Sequence, residues 1–132
     1  MSNRAQQPLS ALLVVFGLVF TFGVWPLMLV WPSGWVWQPN QPEYQWMILG
    51  VYATLGVFVV MAARNPSEHR SLILFTAWSS IVHAVVMLVE AIQDPSEHGH
   101  LVGDIPILAV VGILLLIFAP KSGPTHAGPA TT

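Results

Sequence analysis

The chain has 132 residues, of which 55% are hydrophobic and only 8% are charged. Four Lys and Arg residues against six Asp and Glu residues give a formal net charge of −2, which excludes a basic surface for nucleic-acid phosphates. So few charges could not cover the surface of a soluble domain, where about a quarter of the residues are charged. The mean hydropathy of +0.68 therefore indicates a membrane protein of a single domain.

Four apolar stretches are long enough to cross a bilayer, which takes about 20 mostly apolar residues. They cover residues 9–31, 46–63, 72–92 and 101–119. Because short connections make consecutive helices antiparallel, the expected fold is all-α: an up-down bundle of four transmembrane helices in one domain, residues 1–120. Residues 121–132 are rich in Gly, Pro and Thr and predict a disordered cytoplasmic tail.

The first stretch predicts a retained helix and not a cleaved signal peptide, whose apolar region spans about 7–15 residues. It continues into Trp25-Pro26 and Trp31-Pro32 without a small-residue cleavage site. Pro8 suits the first turn of a helix, and Pro26 predicts a kink in its outer third.

The basic residues predict the orientation in the membrane. They are Arg4, Arg64, Arg70 and Lys121. They precede the first span, flank the connection between the second and third spans and follow the fourth, so all of them fall on one side. The positive-inside rule makes that side cytoplasmic, and the expected location is a bacterial inner membrane with both termini in the cytoplasm.

The connection after the first span is rich in aromatic residues: Trp31, Trp35, Trp37, Tyr44 and Trp46. Such rings settle at the headgroup level of a bilayer, so an aromatic belt is the main interpretation. The alternative is a binding platform for a sugar or a lipid headgroup.

The pentapeptide Asn-Pro-Ser-Glu-His at residues 65–69 recurs as Asp-Pro-Ser-Glu-His at residues 94–98. Asn or Asp is a good N-cap, Pro fits the first helical position, and a following Glu can close a capping box. The repeat therefore predicts two helix starts and not a duplicated ligand motif. With a further helix start at Asp104-Ile105-Pro106, the predicted capping residues are Asn65, Glu68, Asp94, Glu97 and Asp104.

The third span carries a stripe of polar side chains at helical spacing. Its members are Thr76, Ser79, Ser80, His83, Glu90 and Asp94. His83 is predicted near the middle of the membrane, in one layer with Thr21 of the first span, Thr54 of the second and Gly112 of the fourth. In that layer the imidazole fills the space opposite the glycine and reaches the threonine hydroxyls.

This stripe has two interpretations. Ser, Thr and His side chains hydrogen-bond between helices and stabilise a bundle by about 1 kcal/mol each, which favours packing. Ionisable groups inside a membrane usually face the bundle interior or a wet cavity, which favours a proton path or ligand pocket around His83 and Glu90. An imidazole that titrates near neutral pH suits the second role.

The sequence gives less support to a metal, haem or enzyme centre. His98 and His100 form a His-x-His pair near several carboxylates, which suits zinc or copper. No closed four-ligand pattern accompanies them, so no metal site and no cofactor is predicted. His69 and His83 have the spacing of stacked haem ligands but lack partner histidines on another span. The chain has no cysteine, which excludes disulfides and iron–sulfur clusters, and no nucleophile–base–orienter set is visible.

Several segments in the middle of the chain carry a family resemblance. They are Gly50-Val51-Tyr52, Ala62-Ala63-Arg64-Asn65-Pro66, His69-Arg70-Ser71-Leu72-Ile73, Trp78-Ser79-Ser80 and His83-Ala84. Over residues 46–106 the chain resembles a family of small uncharacterised bacterial four-helix membrane proteins, and its layout resembles the DoxX-like group. The DoxX-like group includes proteins associated with quinone-linked redox systems, so the resemblance implies a membrane redox association.

These observations lead to three expectations for function. The first is a small inner-membrane protein that acts as a non-enzymatic accessory or structural subunit, with lipid and further copies or a larger complex as its partners. The second is a quinone- or metal-associated redox component that uses the polar group around His83 and Glu90. The third is a carrier of protons or small solutes.

Overall fold

The computed structural model describes residues 3–122, and that part of the chain is all-helical, with no strand. Its α-helices are α1 (Asn3–Leu18), α2 (Val24–Val30), α3 (Pro32–Trp35), α4 (Pro42–Ala62), α5 (Arg70–Gln93) and α6 (Asp104–Phe118). A π-helical turn, Val19–Gly23, joins α1 to α2, and 3-10 helices occupy Pro66–His69 and Pro95–Val102. The all-α prediction is confirmed. The predicted tail, 121–132, lies outside the described residues apart from Lys121 and Ser122.

Three helical segments are long and apolar enough to cross a membrane: Gln6–Val30, Pro42–Ala62 and Pro66–Gln93. A fourth span is available if Pro95–Val102 and Asp104–Phe118, which are bent by 42° against each other, form one broken span. On its own α6 has 15 residues, which at 1.5 Å per residue is about 22 Å. That is shorter than a hydrocarbon core of roughly 30 Å, so the chain has three or four candidate spans.

The helix ends differ from the predicted spans where prolines stand. α4 begins at Pro42 and not near residue 46, because the fixed φ of proline suits the first turn of a helix. The last helix begins only at Asp104, because a 3-10 helix takes up Pro95–Val102.

The π-helical turn Val19–Gly23 directly precedes the part of the first span that holds Pro26. Proline cannot donate a backbone hydrogen bond, and its ring crowds the carbonyl four residues earlier, which here belongs to Phe22 in the π-helical turn. The distortion that Pro26 predicts is thus present just before it, as a π-helical turn that is wider than an α-helical one. Such turns are frequent at functional sites.

Glycines allow α1 and α4 to approach each other closely. A Cβ atom on Gly17 would lie 2.7 Å from the carbonyl oxygen of Gly56, and a Cβ atom on Gly56 would lie 2.6 Å from that of Gly17. Small residues at a crossing let the backbones of membrane helices pack against each other. The hydroxyl of Thr21 lies at the same crossing and donates to the carbonyl of Gly17 at 2.7 Å.

The second close pair of helices is α5 with α6. A Cβ atom on Gly112 would lie 2.7 Å from the carbonyl oxygen of Ala77, so α6 crosses α5 at this glycine. About one helical turn from this crossing in the sequence, Ile73 of α5 and Leu115 of α6 are fully buried and belong to the hydrophobic core. The long helices therefore form two close pairs, α1–α4 and α5–α6, that share one hydrophobic core.

The outward faces of the helices are also apolar. Large hydrophobic side chains are exposed on every long helical segment, for example Phe22, Val51, Phe75 and Ile117. A helix that is apolar on all sides is either buried in protein or covered by lipid. The exposed faces are those that lipid would cover.

The two ends of the bundle differ in charge. One end holds Arg4, Arg64, Arg70 and Lys121, and we call it the basic end; there Nε of Arg70 donates to the carbonyl of Pro120 at 2.8 Å. The opposite end consists of residues 31–43 and 94–104, and we call it the acidic end. Its carboxylates are Glu43, Asp94, Glu97 and Asp104.

Candidate functional site

A cavity of about 290 Å³ lies in the half of the bundle next to the acidic end. The π-helical turn, α2, α3, α4, α5 and α6 contribute to its wall, and the segment between α3 and α4 covers one side. It is lined by Val19, Phe20, Val24 and Met28; Trp35, Val36, Trp37, Pro39, Asn40 and Gln41; Tyr44, Gln45, Ile48 and Tyr52; His83 and Met87; and Asp104, Ile107 and Leu108. The wall is thus mostly apolar and rich in aromatic rings, with few polar groups. The π-helical turn contributes Val19 and Phe20 to it.

Tyr52 of α4 and His83 of α5 form a hydrogen-bonded pair in the wall of this cavity, between the phenol oxygen and Nδ1 of the imidazole. The ring of Phe20 packs edge-on against Tyr52, with the ring centres 5.3 Å apart. The pair has two polar hydrogens, one on the phenol and one on the neutral imidazole, and their shared bond uses one. In either tautomer one hydrogen remains free to donate and one lone pair remains free to accept.

A second polar group, the Glu97–His100–Asp104 trio, is buried where the 3-10 helix Pro95–Val102 meets α6. His100 is fully buried, and its Nδ1 lies 2.8 Å from Oδ1 of Asp104, as a hydrogen bond. Its Nε2 lies 3.2 Å from Oε2 of Glu97, but without the alignment of a hydrogen bond, so that contact is electrostatic. Asp104 also lines the cavity and therefore connects the trio to it.

The trio holds the segment between α3 and α4 against the cavity. The indole of Trp37 stacks on His100 with ring centres 4.0 Å apart, and its Nε1 donates to Oδ2 of Asp104 at 3.2 Å. The backbone N–H of Gln38 donates to Oε1 of Glu97 at 3.0 Å. Trp37 and Gln38, near the start of this segment, are thus fixed by polar contacts with the trio.

Glycines seat the short helix α3 on the 3-10 helix Pro95–Val102. A Cβ atom on Gly103 would lie 2.7 Å from Cα of Gly34, and one on Gly99 would lie 2.9 Å from the carbonyl carbon of Ser33. Trp35 is buried beside this contact and lines the cavity. Within residues 3–122 its indole N–H has no hydrogen-bond acceptor.

The polar stripe of α5 is divided between the core and the surface. Thr76 and Ser80 are buried, and the hydroxyl of Thr76 donates to the carbonyl of Leu72 at 2.8 Å. Ser79 is half-buried and donates to the carbonyl of Thr76 at 3.2 Å. Glu90 and Asp94 are exposed. Of the whole stripe, only His83 belongs to the lining of the cavity.

The predicted layer around His83 has different contacts. The hydroxyl of Thr21 donates to the carbonyl of Gly17 at 2.7 Å and lies 3.4 Å from that of Ala53 on α4. The hydroxyl of Thr54, which is exposed, donates to the carbonyl of Gly50 at 2.9 Å. Gly112 faces Ala77 and α5 as described above. The hydrogen-bond partner of His83 is therefore Tyr52 and not a threonine.

The residues predicted as helix caps have two kinds of role. Oδ1 of Asp94 accepts from the backbone N–H of Ser96 at 2.9 Å and from its hydroxyl at 2.7 Å. These hydrogen bonds hold the pKa of Asp94 below its usual value, and the one from the hydroxyl has the larger effect. The side-chain oxygen of Asn65 accepts only from the hydroxyl of Ser67, at 2.9 Å, and Glu68 is exposed.

Glu97 and Asp104, also predicted as caps, are engaged in the trio. The carboxylates point to His100, Trp37 and the backbone of Gln38. A capping role was the natural prediction, because both residues stand near a helix start with the expected spacing. Their long-range partners carry no signal in the local sequence.

The His-x-His pair does not form a shared site. His98 is exposed, whereas His100 is fully buried with both ring nitrogens facing carboxylates. Between residues 3 and 122, no group of three or more His, Asp and Glu side chains is arranged to hold a metal ion.

Sequence reasoning found His83 but missed Tyr52 and Trp37. Both are aromatic residues in stretches where aromatic rings are expected at the membrane surface, so nothing in the local sequence marked them as polar partners. The signal that could have indicated such partners is the presence of ionisable residues in or beside apolar stretches: His83, His100 and Asp104. Each of them needs a polar partner among the packed helices.

The sequence matches a family of unknown function, DUF6632, over residues 5–131. The chain belongs to this family. No curated protein and no solved structure matches the chain. The match agrees with the predicted uncharacterised family, whereas the DoxX-like layout of this DUF6632 protein stays a prediction.

Proposed function

We propose that this DUF6632 protein is a multi-pass membrane protein that binds a lipophilic small molecule with a polar group in the cavity next to its acidic end. The observation that carries the proposal is the mostly apolar cavity of about 290 Å³ with the Tyr52–His83 pair in its wall. Small-molecule sites are typically concave, mostly apolar and furnished with a few convergent polar groups. Their usual volumes begin at about 300 Å³, so the cavity fits a ring or a head group.

The Tyr52–His83 pair supplies the polar recognition. It keeps one hydrogen to donate and one lone pair to accept in either tautomer, so it serves a hydroxyl, a carbonyl or an amine equally well. An unmatched polar group in an apolar cavity is unfavourable, and this selects a ligand with a polar atom at the depth of the pair.

The proposed location is a bacterial inner membrane with both termini in the cytoplasm. The four Lys and Arg residues at the basic end support that orientation through the positive-inside rule. The cavity then lies in the outer half of the membrane, where a lipophilic molecule would enter from the outer leaflet or the outer surface.

The proposed binding activity is consistent with a non-enzymatic component of a larger membrane system. A quinone is one lipophilic molecule with polar oxygens, so the redox-linked alternative depends on which ligand the cavity holds. Identification of the bound molecule separates the two.

The test is mass spectrometry of organic extracts from the full-length protein purified in mild detergent. We expect one lipophilic species at about one molecule per chain in the wild type, and less of it in Tyr52→Phe, which loses only the hydroxyl. Tyr44→Phe is the matched control, because Tyr44 is exposed at the cavity's edge and makes no hydrogen bond to His83. Equal contents in all three proteins, or bulk lipid alone, would contradict the proposal.

A further inference from the structure

We infer that the ligand of this cavity is a lipophilic cation, attracted by the buried negative charge of the Glu97–His100–Asp104 trio and by the aromatic rings of the wall. This inference rests on the proposed function and narrows it to one class of ligand: a molecule with an ammonium-type head group and an apolar body.

The first observation is the charge of the trio. With both carboxylates ionised, the single positive charge of a protonated His100 leaves the trio with one net negative charge. A neutral His100 leaves it with two. Glu97 and Asp104 are both nine-tenths or more buried, and His100 is fully buried, so solvent screens this charge poorly.

The second observation is that no Lys or Arg side chain lies near the trio. All four Lys and Arg residues of the chain stand at the basic end, at the far ends of α1, α4, α5 and α6 from the cavity. Among the lining residues Asp104 is the only one with a carboxyl group, and His83 is the only one able to carry a positive charge. Buried charge that lacks an opposite partner is unfavourable, and a cation in the cavity would supply that partner.

The third observation is the aromatic content of the wall. The rings of Phe20, Trp35, Trp37, Tyr44 and Tyr52 all line the cavity. The faces of such rings attract cations within about 6 Å of their centres, and aromatic cages are a common means of binding quaternary ammonium groups. Rings and buried carboxylates together favour a cation over a neutral or an anionic ligand of the same shape.

The experiment compares two probes of equal shape, 4-hexylphenyltrimethylammonium and its neutral carbon isostere 1-tert-butyl-4-hexylbenzene. Binding of each is measured to the full-length protein in nanodiscs of phosphatidylcholine, whose zwitterionic headgroups do not concentrate cations at the surface. We expect the cation to bind at least about tenfold more tightly than the isostere, because a charge acts strongly in a low-dielectric interior.

Two variants locate the source of that preference. Glu97→Gln and Asp104→Asn each remove one carboxylate charge from the trio, and each is expected to lower the ratio of cation affinity to isostere affinity about tenfold. Glu43→Gln is the matched control, because Glu43 is an exposed carboxylate at the same end and lies outside the lining. If Asp104→Asn fails to fold, Glu97→Gln decides, since Glu97 does not touch the cavity.

The outcomes separate this inference from the function on which it rests. Equal affinity for the two probes, or a cation preference that Glu97→Gln leaves intact, would overturn the inference while cavity binding stands. A tightly bound quinone would do the same. If neither probe binds and no molecule co-purifies, the proposed function fails together with the inference.

Discussion

The two copies of the pentapeptide both begin a 3-10 helix, but they differ at the residue scale in the side-chain cap. Asp94 accepts two hydrogen bonds from Ser96 and begins the 3-10 helix Pro95–Val102. The side-chain oxygen of Asn65 accepts only from the hydroxyl of Ser67. The carboxylate is charged and has more acceptor capacity than the amide oxygen, so the copy at Asp94 makes the stronger cap.

This difference gives a prediction for the pKa of Asp94. In Ser96→Ala the hydroxyl donor is lost and the backbone donor remains, so the pKa of Asp94 should rise from its lowered value toward the usual one. A pKa lowered by folding contributes stability above the unfolded-state pKa, and that contribution is lost as the pH falls through the folded-state pKa. A carboxyl ¹³C NMR titration measures the change. Ser67→Ala, the equivalent substitution in the other copy, should leave the Asp94 titration where it is.

The sequence predicts a functional residue when its type is rare in apolar stretches, as an ionisable side chain is. It does not predict the hydrogen-bond partner when the partner's type is common there. His83 stood out because ionisable side chains seldom enter a membrane without a role. Its partner Tyr52 did not, because an aromatic residue in an apolar stretch is ordinary. The local spacing of Glu97 and Asp104 predicted caps, whereas their burial with His100 depends on Trp37, far away in the sequence.

At the scale of elements, the crossing of α1 and α4 depends on glycines that face each other. Any side chain on Gly56 would meet the carbonyl of Gly17 and the hydroxyl of Thr21. Neither group is the flexible end of a long side chain, so the helices would have to separate. Gly50 of the same helix has open space around it.

The two glycines of α4 therefore give a matched pair of substitutions. Gly56→Leu should lower the free energy of unfolding by about 2 kcal/mol or more, because overpacking at a close contact is destabilising. Gly50→Leu should leave it unchanged or raise it, because leucine is the better helix former. Thermal unfolding followed by circular dichroism in one detergent compares the two. Equal melting temperatures would mean that α1 and α4 do not cross at this point.

The elements themselves were predictable to the extent that apolar length and proline placement determine them. The long apolar runs gave the helices, but two features escaped this reasoning. Val19–Gly23 is a π-helical turn. The nearby Pro26 predicts a distortion of the helix, but no residue pattern predicts that the distortion is a π-helical turn. The 3-10 helix Pro95–Val102 shortens α6, because its polar residues turn inward to form the trio.

At the scale of the whole molecule, the basic end and the acidic end differ in charge and in their distance from the cavity. All four Lys and Arg residues lie at the basic end, while the acidic end holds the trio and the segment that covers the neighbouring cavity. Apolar periodicity predicts that helices pack together, but it does not predict where they stay apart. The cavity arises where the π-helical turn, α4 and α6 leave space between them, and this depends on the full set of tertiary contacts.

The central claim, that one lipophilic molecule occupies the cavity, is tested most directly by native mass spectrometry of the full-length protein released from mild detergent. The prediction is a complex of the 14.4 kDa chain with a single species of defined mass. Val24→Trp, which fills the cavity from its wall, should lose that species, and Val30→Trp, at a residue 84% exposed and outside the lining, should keep it. A bare chain in the wild type, or the same adducts in both variants, would contradict the claim.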